Sequence, residues 1–97
     1  MKLKLGGASL ILAERERQIE IEKFDSEHDD CHGSDQLALA AACYAMPSRC
    51  RELKYWPWAR NWWKPTPDDR IRELVKAGAL IAAEIDRLQR KSDESSK

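Results

Sequence analysis

Long apolar runs are missing from this sequence, and with them the usual signature of a membrane protein. The N-terminal stretch, residues 1–12, carries two lysines ahead of Leu10, Ile11 and Leu12, and this run is too short for a signal peptide or a membrane span. Net charge is missing too, because seventeen basic side chains balance seventeen acidic ones. Without a net field, binding to a membrane surface or nonspecific binding to nucleic acid is not expected. These absences predict a cytoplasmic protein.

Paired cysteines are also absent. Cys31, Cys43 and Cys50 are odd in number and have no Cys-x-x-Cys spacing, which fits neither a disulfide framework nor a zinc ribbon. We expect reduced thiols, with Cys43 as a small core residue among alanines. A glycine-rich phosphate loop and a Ser-His-Asp or Cys-His arrangement are missing as well. We therefore assign no catalytic residue, no metal and no cofactor.

The length and composition of the chain predict one small helical domain. Its 97 residues, 42% hydrophobic and 35% charged, suffice for a single core built from helices with one buried stripe each. We expect an all-α bundle of about three helices spanning residues 1–97, with a tryptophan-rich loop before a long C-terminal helix. The core should cover about 9–90, and the polar tail, residues 91–97, should be flexible.

Two helices are predicted in the first half. Ser9 is a candidate cap for an amphipathic helix over residues 10–23, followed by a polar loop over residues 24–33. Ser34 or Asp35 can cap a second helix over residues 36–45. That helix should end near Met46 before Pro47. Because it is apolar nearly all round, we expect it to be central in the fold or shared with another subunit.

A third helix is predicted to begin at Thr66-Pro67, which supply a cap and a proline at the first helical position. Apolar side chains then recur at three- and four-residue steps, as expected for the main core face. They are Ile71, Leu74, Val75, Gly78, Ile81, Ala82, Ile85 and Leu88. The glycine predicts a close helix crossing, near Ala79 and the alanines of the second helix.

The least random feature is the clustering of all four tryptophans within eight residues, interleaved with cations. The candidate ligand-binding residues of this segment and its surroundings are Trp56, Trp58, Arg60, Trp62, Trp63, Lys64 and Arg70. Indoles stack on planar bases and cations neutralise phosphates, so the segment can hold a nucleotide. The alternative is that the indoles complete a small core. We expect most rings to be buried in this way, with one or two left for a ligand or partner.

A second cluster of polar donors lies in the predicted loop, where His28, Asp29, Asp30, Cys31 and His32 follow one another closely. Such donors can hold a divalent metal, but their spacing matches no specific site. Aspartates ahead of a helix also act as caps and turn formers, and we favour a solvated loop. His28, Asp29, Asp30 and His32 nevertheless remain candidate ligand-binding residues.

Helical carboxylates offer a third possibility. Glu14, Glu20, Glu22, Glu84 and Asp86 could form a cluster like that of magnesium-dependent nucleotide pyrophosphohydrolases. They lie among arginines, however, and charges at such spacing usually belong to solvated faces with weak pairs. We favour the solvated faces.

Over residues 13–90 the chain resembles a group of short proteins encoded by phages and prophages. The first shared residues are Ala13-Glu14-Arg15-x-Arg17-Gln18-Ile19-Glu20-x-Glu22, Glu27-His28-Asp29-Asp30-x-His32 and Ala41-Ala42-Cys43-Tyr44-Ala45. The others are Trp56-Pro57-Trp58, Trp62-Trp63-Lys64-Pro65 and Arg72-x-Leu74-Val75-Lys76-Ala77-Gly78-Ala79-Leu80-Ile81-x-Ala83-Glu84-Ile85-x-Arg87-Leu88. That group commonly has a glycine before the aromatic residue at Phe24, where this chain has Lys23. The resemblance implies an infected or lysogenic bacterial host.

A more distant similarity is to the ryanodine-receptor repeat domain. In that domain an arginine-containing helix precedes an aromatic turn, an acidic pair and a histidine, and a later helix follows a Lys and an Asp-Arg pair. The corresponding residues here are Arg17, Phe24, Asp29, Asp30, His32, Lys64, Asp69 and Arg70. Since such domains are helical modules, the similarity implies binding of a small molecule or a protein.

Three functions follow as hypotheses. The first is a non-enzymatic phage accessory protein that binds a nucleotide-like small molecule in a Trp/Arg/Lys-lined pocket, as a sponge for host immune signals. The second is a protein-interaction module, or a homo-oligomer, that inhibits a host protein through exposed indoles and the alanine-rich helix. The third is a metal-dependent nucleotide pyrophosphohydrolase. The lack of a catalytic arrangement favours a protein that is not an enzyme.

Overall fold

The computed structural model describes residues 6–33 and 35–95, and over these residues it contains helices and turns but no strand. The four α-helices are α1 (Gly7–Glu20), α2 (Ser26–Asp30), α3 (Gln36–Ala45) and α4 (Arg70–Ser95). Three 3₁₀ turns, Ser48–Cys50, Leu53–Tyr55 and Arg60–Trp62, form the connection between α3 and α4. The all-α prediction is confirmed. In the described ranges, no helix has the length and hydropathy needed to cross a membrane.

The first half contains one helix more than predicted. α1 begins three residues earlier than expected, at Gly7, with Gly6 instead of Ser9 at the cap position. Lys23 then adopts a left-handed conformation (φ 64°), which glycine reaches without steric cost. The predicted loop contains α2, whose first turn is capped by Asp25: the carboxylate accepts a hydrogen bond from the His28 backbone N–H at 3.0 Å. A five-residue helix is too short for apolar periodicity to predict.

α3 has the predicted bounds and lies at the centre of the fold. Its first residue follows Asp35, which takes a left-handed conformation and makes no side-chain capping bond. The alternative cap Ser34 lies outside the described residues. The helix ends before Met46 and Pro47, as proline requires. Leu37, Ala40, Ala41, Cys43 and Tyr44 are buried, mainly against α4.

α4 begins three residues later than predicted and continues further. Asp69, and not Thr66, caps it, because the Asp69 carboxylate accepts the Arg72 backbone N–H at 3.0 Å. Thr66 and Pro67 belong to the preceding turn, which is closed by a hydrogen bond from the Asp69 N–H to the Thr66 carbonyl (2.8 Å). At the other end the helix extends to Ser95, so it includes residues 91–95 of the tail that the sequence analysis placed outside the core.

The buried face of α4 differs from the predicted one. Val75 of the predicted stripe is buried, but the large aliphatic side chains expected beside it are about half exposed or more: Ile71, Leu74, Ile81, Ile85 and Leu88. The face turned inward carries Leu80 together with alanines and carboxylates: Glu73, Ala77, Ala83 and Glu84. Alanines let α3 approach closely, and the buried carboxylates have guanidinium partners: Arg51 and Arg70 for Glu73, and Arg87 for Glu84. Polarity therefore does not prevent this face from being buried.

Gly78 marks a close helix crossing, but with α1 and not with α3. A Cβ atom at this position would lie 2.5 Å from Cδ1 and 2.7 Å from Cγ1 of Ile11. The glycine thus lets α1 pack directly on α4. Buried Glu14 and Gln18, on the face of α1 that carries its polar residues, take part in this interface and line the candidate site described next.

Candidate ligand-binding site

Two of the four tryptophans belong to the hydrophobic core. Trp56 is 8% exposed and packs edge-on against Tyr44 of α3, with ring centroids 5.7 Å apart. Its indole N–H donates to the Ala59 carbonyl at 3.1 Å, so its polar atom is satisfied. Trp63 lies against the other side of the same tyrosine at 4.6 Å. These two rings complete the interior of the domain.

The other two tryptophans are less buried than Trp56, and each lines two cavities, whereas Trp56 borders only one of them. Trp62, at the end of the last 3₁₀ turn, is 51% exposed. Trp58 is half-buried, and its indole N–H donates to Oε1 of Gln36 at 3.0 Å, which fixes the orientation of its ring. Trp62 is thus largely outside the core, whereas Trp58 also packs against the core cluster, and that one or two rings meet a ligand or partner stays a prediction.

One cavity, the charged pocket, has a volume of about 180 Å³ and lies between α1, α4 and the tryptophan segment. Its aromatic lining consists of Phe24, Tyr44, Trp56, Trp58 and Trp62. Its charged lining consists of the cations Arg17, Lys64, Arg72 and Lys76 and the carboxylates Glu14 and Glu22. With four cations against two carboxylates, the pocket is suited to an anion.

A charge network on α1 and α4 forms the floor of the charged pocket. Glu14 is 3% exposed and accepts hydrogen bonds from Arg17 at 2.8 and 3.0 Å, while Arg72 approaches it to 2.8 Å. Burial alone would raise the pKa of Glu14, but the hydrogen bonds from Arg17 and Gln18 and the charge of Arg72 outweigh burial and lower it. The carboxylate is therefore ionised, and it holds both guanidinium groups in place.

Gln18 leaves one hydrogen-bonding atom of this floor unused. The residue is 4% exposed, and its Nε2 donates to Glu14 at 3.1 Å. Because the carboxylate can only accept, the remaining amide atom is the oxygen Oε1. That oxygen is buried and has no hydrogen-bond partner among the described residues. A buried acceptor without a donor is costly to the stability of the fold.

Two lysines flank the opening. Lys76 Nζ donates to the Lys64 carbonyl at 2.8 Å and lies 5.6 Å from the ring of Tyr44. Lys64 Nζ lies 5.8 Å from the ring of Trp62. Burial, followed by repulsion from Arg72, lowers the pKa of Lys76 below its usual value. An anion placed beside Lys76 would favour the charged lysine.

A second cavity, the aromatic pocket, adjoins the first. It has a volume of about 310 Å³, and its lining consists of Phe24, His28, His32, Trp58, Ala59 and Trp62. Phe24 stacks on His28 with centroids 4.5 Å apart, and His32 lies 5.0 Å from Trp58. Phe24, Trp58 and Trp62 line both pockets, so aromatic and charged surfaces are continuous.

The remaining predicted site residues lie elsewhere. Arg70 donates to the Tyr44 and Ala45 carbonyls at the end of α3 and so satisfies that helix terminus. Arg60 is exposed and lines neither pocket. Trp63 also lines neither pocket. Of the acidic pair, fully buried Asp29 pairs with Arg15 at 3.0 Å, and Asp30 pairs with Arg90 at 2.7 Å.

Sequence reasoning did not assign the polar wall of the charged pocket to a ligand-binding site, although it considered Glu14 for a hydrolase and Arg17 in a distant similarity. The residues concerned are Glu14, Arg17, Gln18, Arg72 and Lys76. The available signal was their spacing, with Arg17 and Gln18 three and four residues after Glu14 on α1 and two cations four apart on α4. Only Glu14 and Glu22 of the five carboxylates considered for a hydrolase line this pocket. Within the described ranges, no three His, Cys, Asp or Glu residues are grouped to hold a metal.

Comparison with known proteins gives no relative. No family model matches the chain, and neither a curated protein nor a solved structure matches it significantly.

Proposed function

We propose that this chain is a non-enzymatic binding protein for a nucleotide-like small molecule. The observation that carries the proposal is the continuity of the two pockets through Phe24, Trp58 and Trp62. The base would occupy the aromatic pocket, and the phosphates would extend into the charged pocket. Together the two volumes fall within the range typical of small-molecule sites, roughly 300–1,000 Å³.

Each part of such a ligand has a matching partner. Base stacking on an aromatic ring contributes about 1–3 kcal/mol per base. Phosphate oxygens would accept from Lys64, Arg72 and Lys76, and charge-assisted hydrogen bonds are the stronger class.

The state of the pocket carboxylates favours binding over hydrolysis. Glu14 is held by Arg17 and Arg72, and Glu22 also approaches Arg17 to 3.2 Å. Carboxylates neutralised by guanidinium groups are poor ligands for a divalent metal and weak general bases. The biological role would be that of a phage accessory protein that sequesters a host signal. That part of the proposal rests on the resemblance to phage and prophage proteins.

A ligand panel tests the proposal. Calorimetry with nucleoside triphosphates, cyclic dinucleotides and ADP-ribose derivatives should identify at least one saturable ligand that also raises the melting temperature. The same incubations with Mg²⁺ or Mn²⁺ should leave the ligand intact. If none binds, the proposal is wrong, and release of pyrophosphate would favour the hydrolase instead.

A matched pair of lysine variants tests the location of the bound ligand. Lys64 lies over Trp62 in the charged pocket, while Lys54 lies over Tyr55 outside both pockets, at a similar 5.2 Å from its ring. We expect Lys64→Gln to weaken binding several-fold and Lys54→Gln to leave it unchanged. Equal effects would place the ligand elsewhere.

A second candidate function is self-association, which the exposed face of α4 favours. Its exposed aliphatic side chains, Ile71, Leu74, Ile81, Ile85 and Leu88, follow the three- and four-residue steps of a helix that pairs with another helix. A second copy presents the same face and would cover it through a two-fold interface. The proposed interface therefore lies on α4, not on the alanine-rich helix considered first, whose large apolar residues Leu37 and Tyr44 are already buried in the domain.

Light scattering tests this candidate. Wild-type protein at tens of micromolar should have the mass of a dimer, and Ile81→Glu should have the mass of a monomer. Ile21→Glu is the control, because Ile21 is 68% exposed but lies outside the stripe. A wild-type protein that stays monomeric at every concentration would exclude self-association.

A further inference from the structure

The two histidines of the chain face each other at the edge of the aromatic pocket. They are four residues apart, His28 within α2 and His32 just after it, so their side chains share one side of the turn. Their Nε2 atoms are 3.2 Å apart. The protonation of each ring decides what this contact can be.

The environment of His28 places its ring proton on Nδ1. This atom lies 3.1 Å from Oδ1 of Asp29. Asp29 is fully buried, and because its other oxygen accepts a hydrogen bond from Arg15 at 3.0 Å, Oδ1 is the acceptor that faces His28. Nδ1 of His28 must therefore donate, which leaves the lone pair of the neutral ring on Nε2.

The same reasoning applies to His32. Its Nδ1 lies 3.0 Å from Oε1 of Gln36. That atom also receives the indole N–H of Trp58 at 3.0 Å, and because an indole can only donate, the atom is an oxygen acceptor. Nδ1 of His32 must therefore donate as well. Both neutral rings then point a lone pair at the same place.

Two facing lone pairs repel unless a cation lies between them. We propose that His28 and His32 bind one zinc-class transition-metal ion through their Nε2 atoms. Zinc–nitrogen bonds of about 2.0–2.1 Å at a tetrahedral angle separate two ligand nitrogens by about 3.3 Å, close to the observed 3.2 Å. Imidazole ligands also commonly donate their other N–H to a carboxylate or carbonyl oxygen, as both rings do here.

The ion would retain open coordination positions. Among the described residues, no third His, Cys, Asp or Glu joins the pair to form a larger cluster. Both rings line the aromatic pocket, so the remaining positions face a cavity of about 310 Å³. Water, or an oxygen or nitrogen donor of a bound small molecule, would fill them. The ion would thus form part of the wall on which Trp58 and Trp62 also lie.

Titration with Zn²⁺ alone tests this inference independently of any nucleotide. The exposed thiols of Cys31 and Cys50 should first be replaced by serine, so that they do not compete for the metal. Calorimetry should then give one saturable site per chain. Co²⁺ in place of Zn²⁺ should give visible absorption bands typical of nitrogen and oxygen coordination.

Phenylalanine variants provide the control for the two rings. His28→Phe and His32→Phe retain ring volume and aromatic contacts but remove the ligand nitrogens, and each should weaken Zn²⁺ binding at least tenfold. Unchanged binding in both variants would overturn the proposal, as would the absence of saturable binding to the parent protein. NMR showing one proton shared by the two rings and undisturbed by Zn²⁺ would also overturn it.

Discussion

Trp56 and Trp62 lie in the same short segment and share a side-chain type, but their surroundings are opposite. Trp56 is 8% exposed and packs against Tyr44, whereas Trp62 is 51% exposed and has the Lys64 ammonium over its ring. The first ring is part of the core, and the second lines both pockets. The comparison indicates that the neighbouring helix, and not the tryptophan itself, decides whether an indole stabilises the fold or remains available to a ligand.

The difference arises from what each helix brings to the segment. α3 supplies an aromatic ring and alanines, against which an indole buries its whole surface. α1 and α4 supply Glu14, Arg17 and Arg72, which hold one another in a charge network. If an indole packed closely against this network, it would desolvate the charged groups, which is energetically unfavourable. A cavity therefore remains. The proposed binding site therefore lies where the apolar core meets the charge network of α1 and α4.

The largest expected effect is on the buried ring. Trp56→Ala should lower the free energy of unfolding by about 3–5 kcal/mol, because it leaves a cavity beside Tyr44 and Trp63. Urea denaturation measures this. The control is Tyr55→Ala, since Tyr55 is the adjacent aromatic residue and is 52% exposed. Equal losses in the two variants would contradict the division into core and site rings.

The next effect concerns the charged floor. Glu14→Gln should lower the free energy of unfolding at neutral pH by about 1–3 kcal/mol, since it weakens hydrogen bonds to charged partners. It should also strengthen binding of an anion, because it leaves the charges of Arg17 and Arg72 uncompensated. Thus the same change should act in opposite directions on folding and on binding.

The pH dependence of the stability difference between wild type and Glu14→Gln provides a check. The pKa of Glu14 is lower in the folded state than in the unfolded state, so its contribution to stability is present above the unfolded pKa. The contribution is lost as the pH falls through the folded pKa. The stability difference between wild type and Glu14→Gln should therefore narrow in acid. A constant difference between pH 7 and pH 3 would show that Glu14 does not act through its charge.

Trp62→Ala should leave the fold largely intact but weaken ligand binding about tenfold, because one stacking surface is lost. Calorimetry measures the affinity, and thermal denaturation measures the stability of the same sample. If the variant unfolds as readily as Trp56→Ala, then Trp62 is a structural residue after all.

The smallest expected effect is at Trp58, which packs partly against the core and also lines the pockets. Trp58→Phe retains an aromatic face but loses the hydrogen bond to Gln36, which should lower stability by about 1 kcal/mol. Binding should weaken only a few-fold, because stacking tolerates the change of ring. A loss of affinity as large as that of Trp62→Ala would assign the indole N–H a role in orienting the site.

Sequence patterns predicted the helical class, the bounds of α3 and the presence of aromatic rings outside the core. They did not predict which face of α4 is buried. The stripe from Ile71 to Leu88 is the more hydrophobic face, but close packing of alanines and paired carboxylates places the opposite residues inside. The hydrophobicity of a helix face indicates the cost of exposing that face to water. It does not show whether the shape of the face allows a neighbouring helix to pack against it.

The polar wall of the site was unpredictable for a related reason. Glu14, Arg17 and Gln18 have the spacing of an ordinary solvated helix face. They form a pocket only because Gly78 lets Ile11 pack directly on α4 and because the tryptophan segment covers the other side. Ile11 and Gly78 are 67 positions apart in the chain, and a single sequence does not show which distant residues are in contact.

The central claim concerns which indoles meet a ligand, and NMR of the four indole N–H groups tests it most directly. On addition of a binding nucleotide, the Trp58 and Trp62 signals should shift in proportion to occupancy, while that of Trp63, which lines neither pocket, should stay nearly unchanged. If the Trp63 signal shifts as much as those of Trp58 and Trp62, or if none of the four responds to any nucleotide of the panel, the proposed site is wrong.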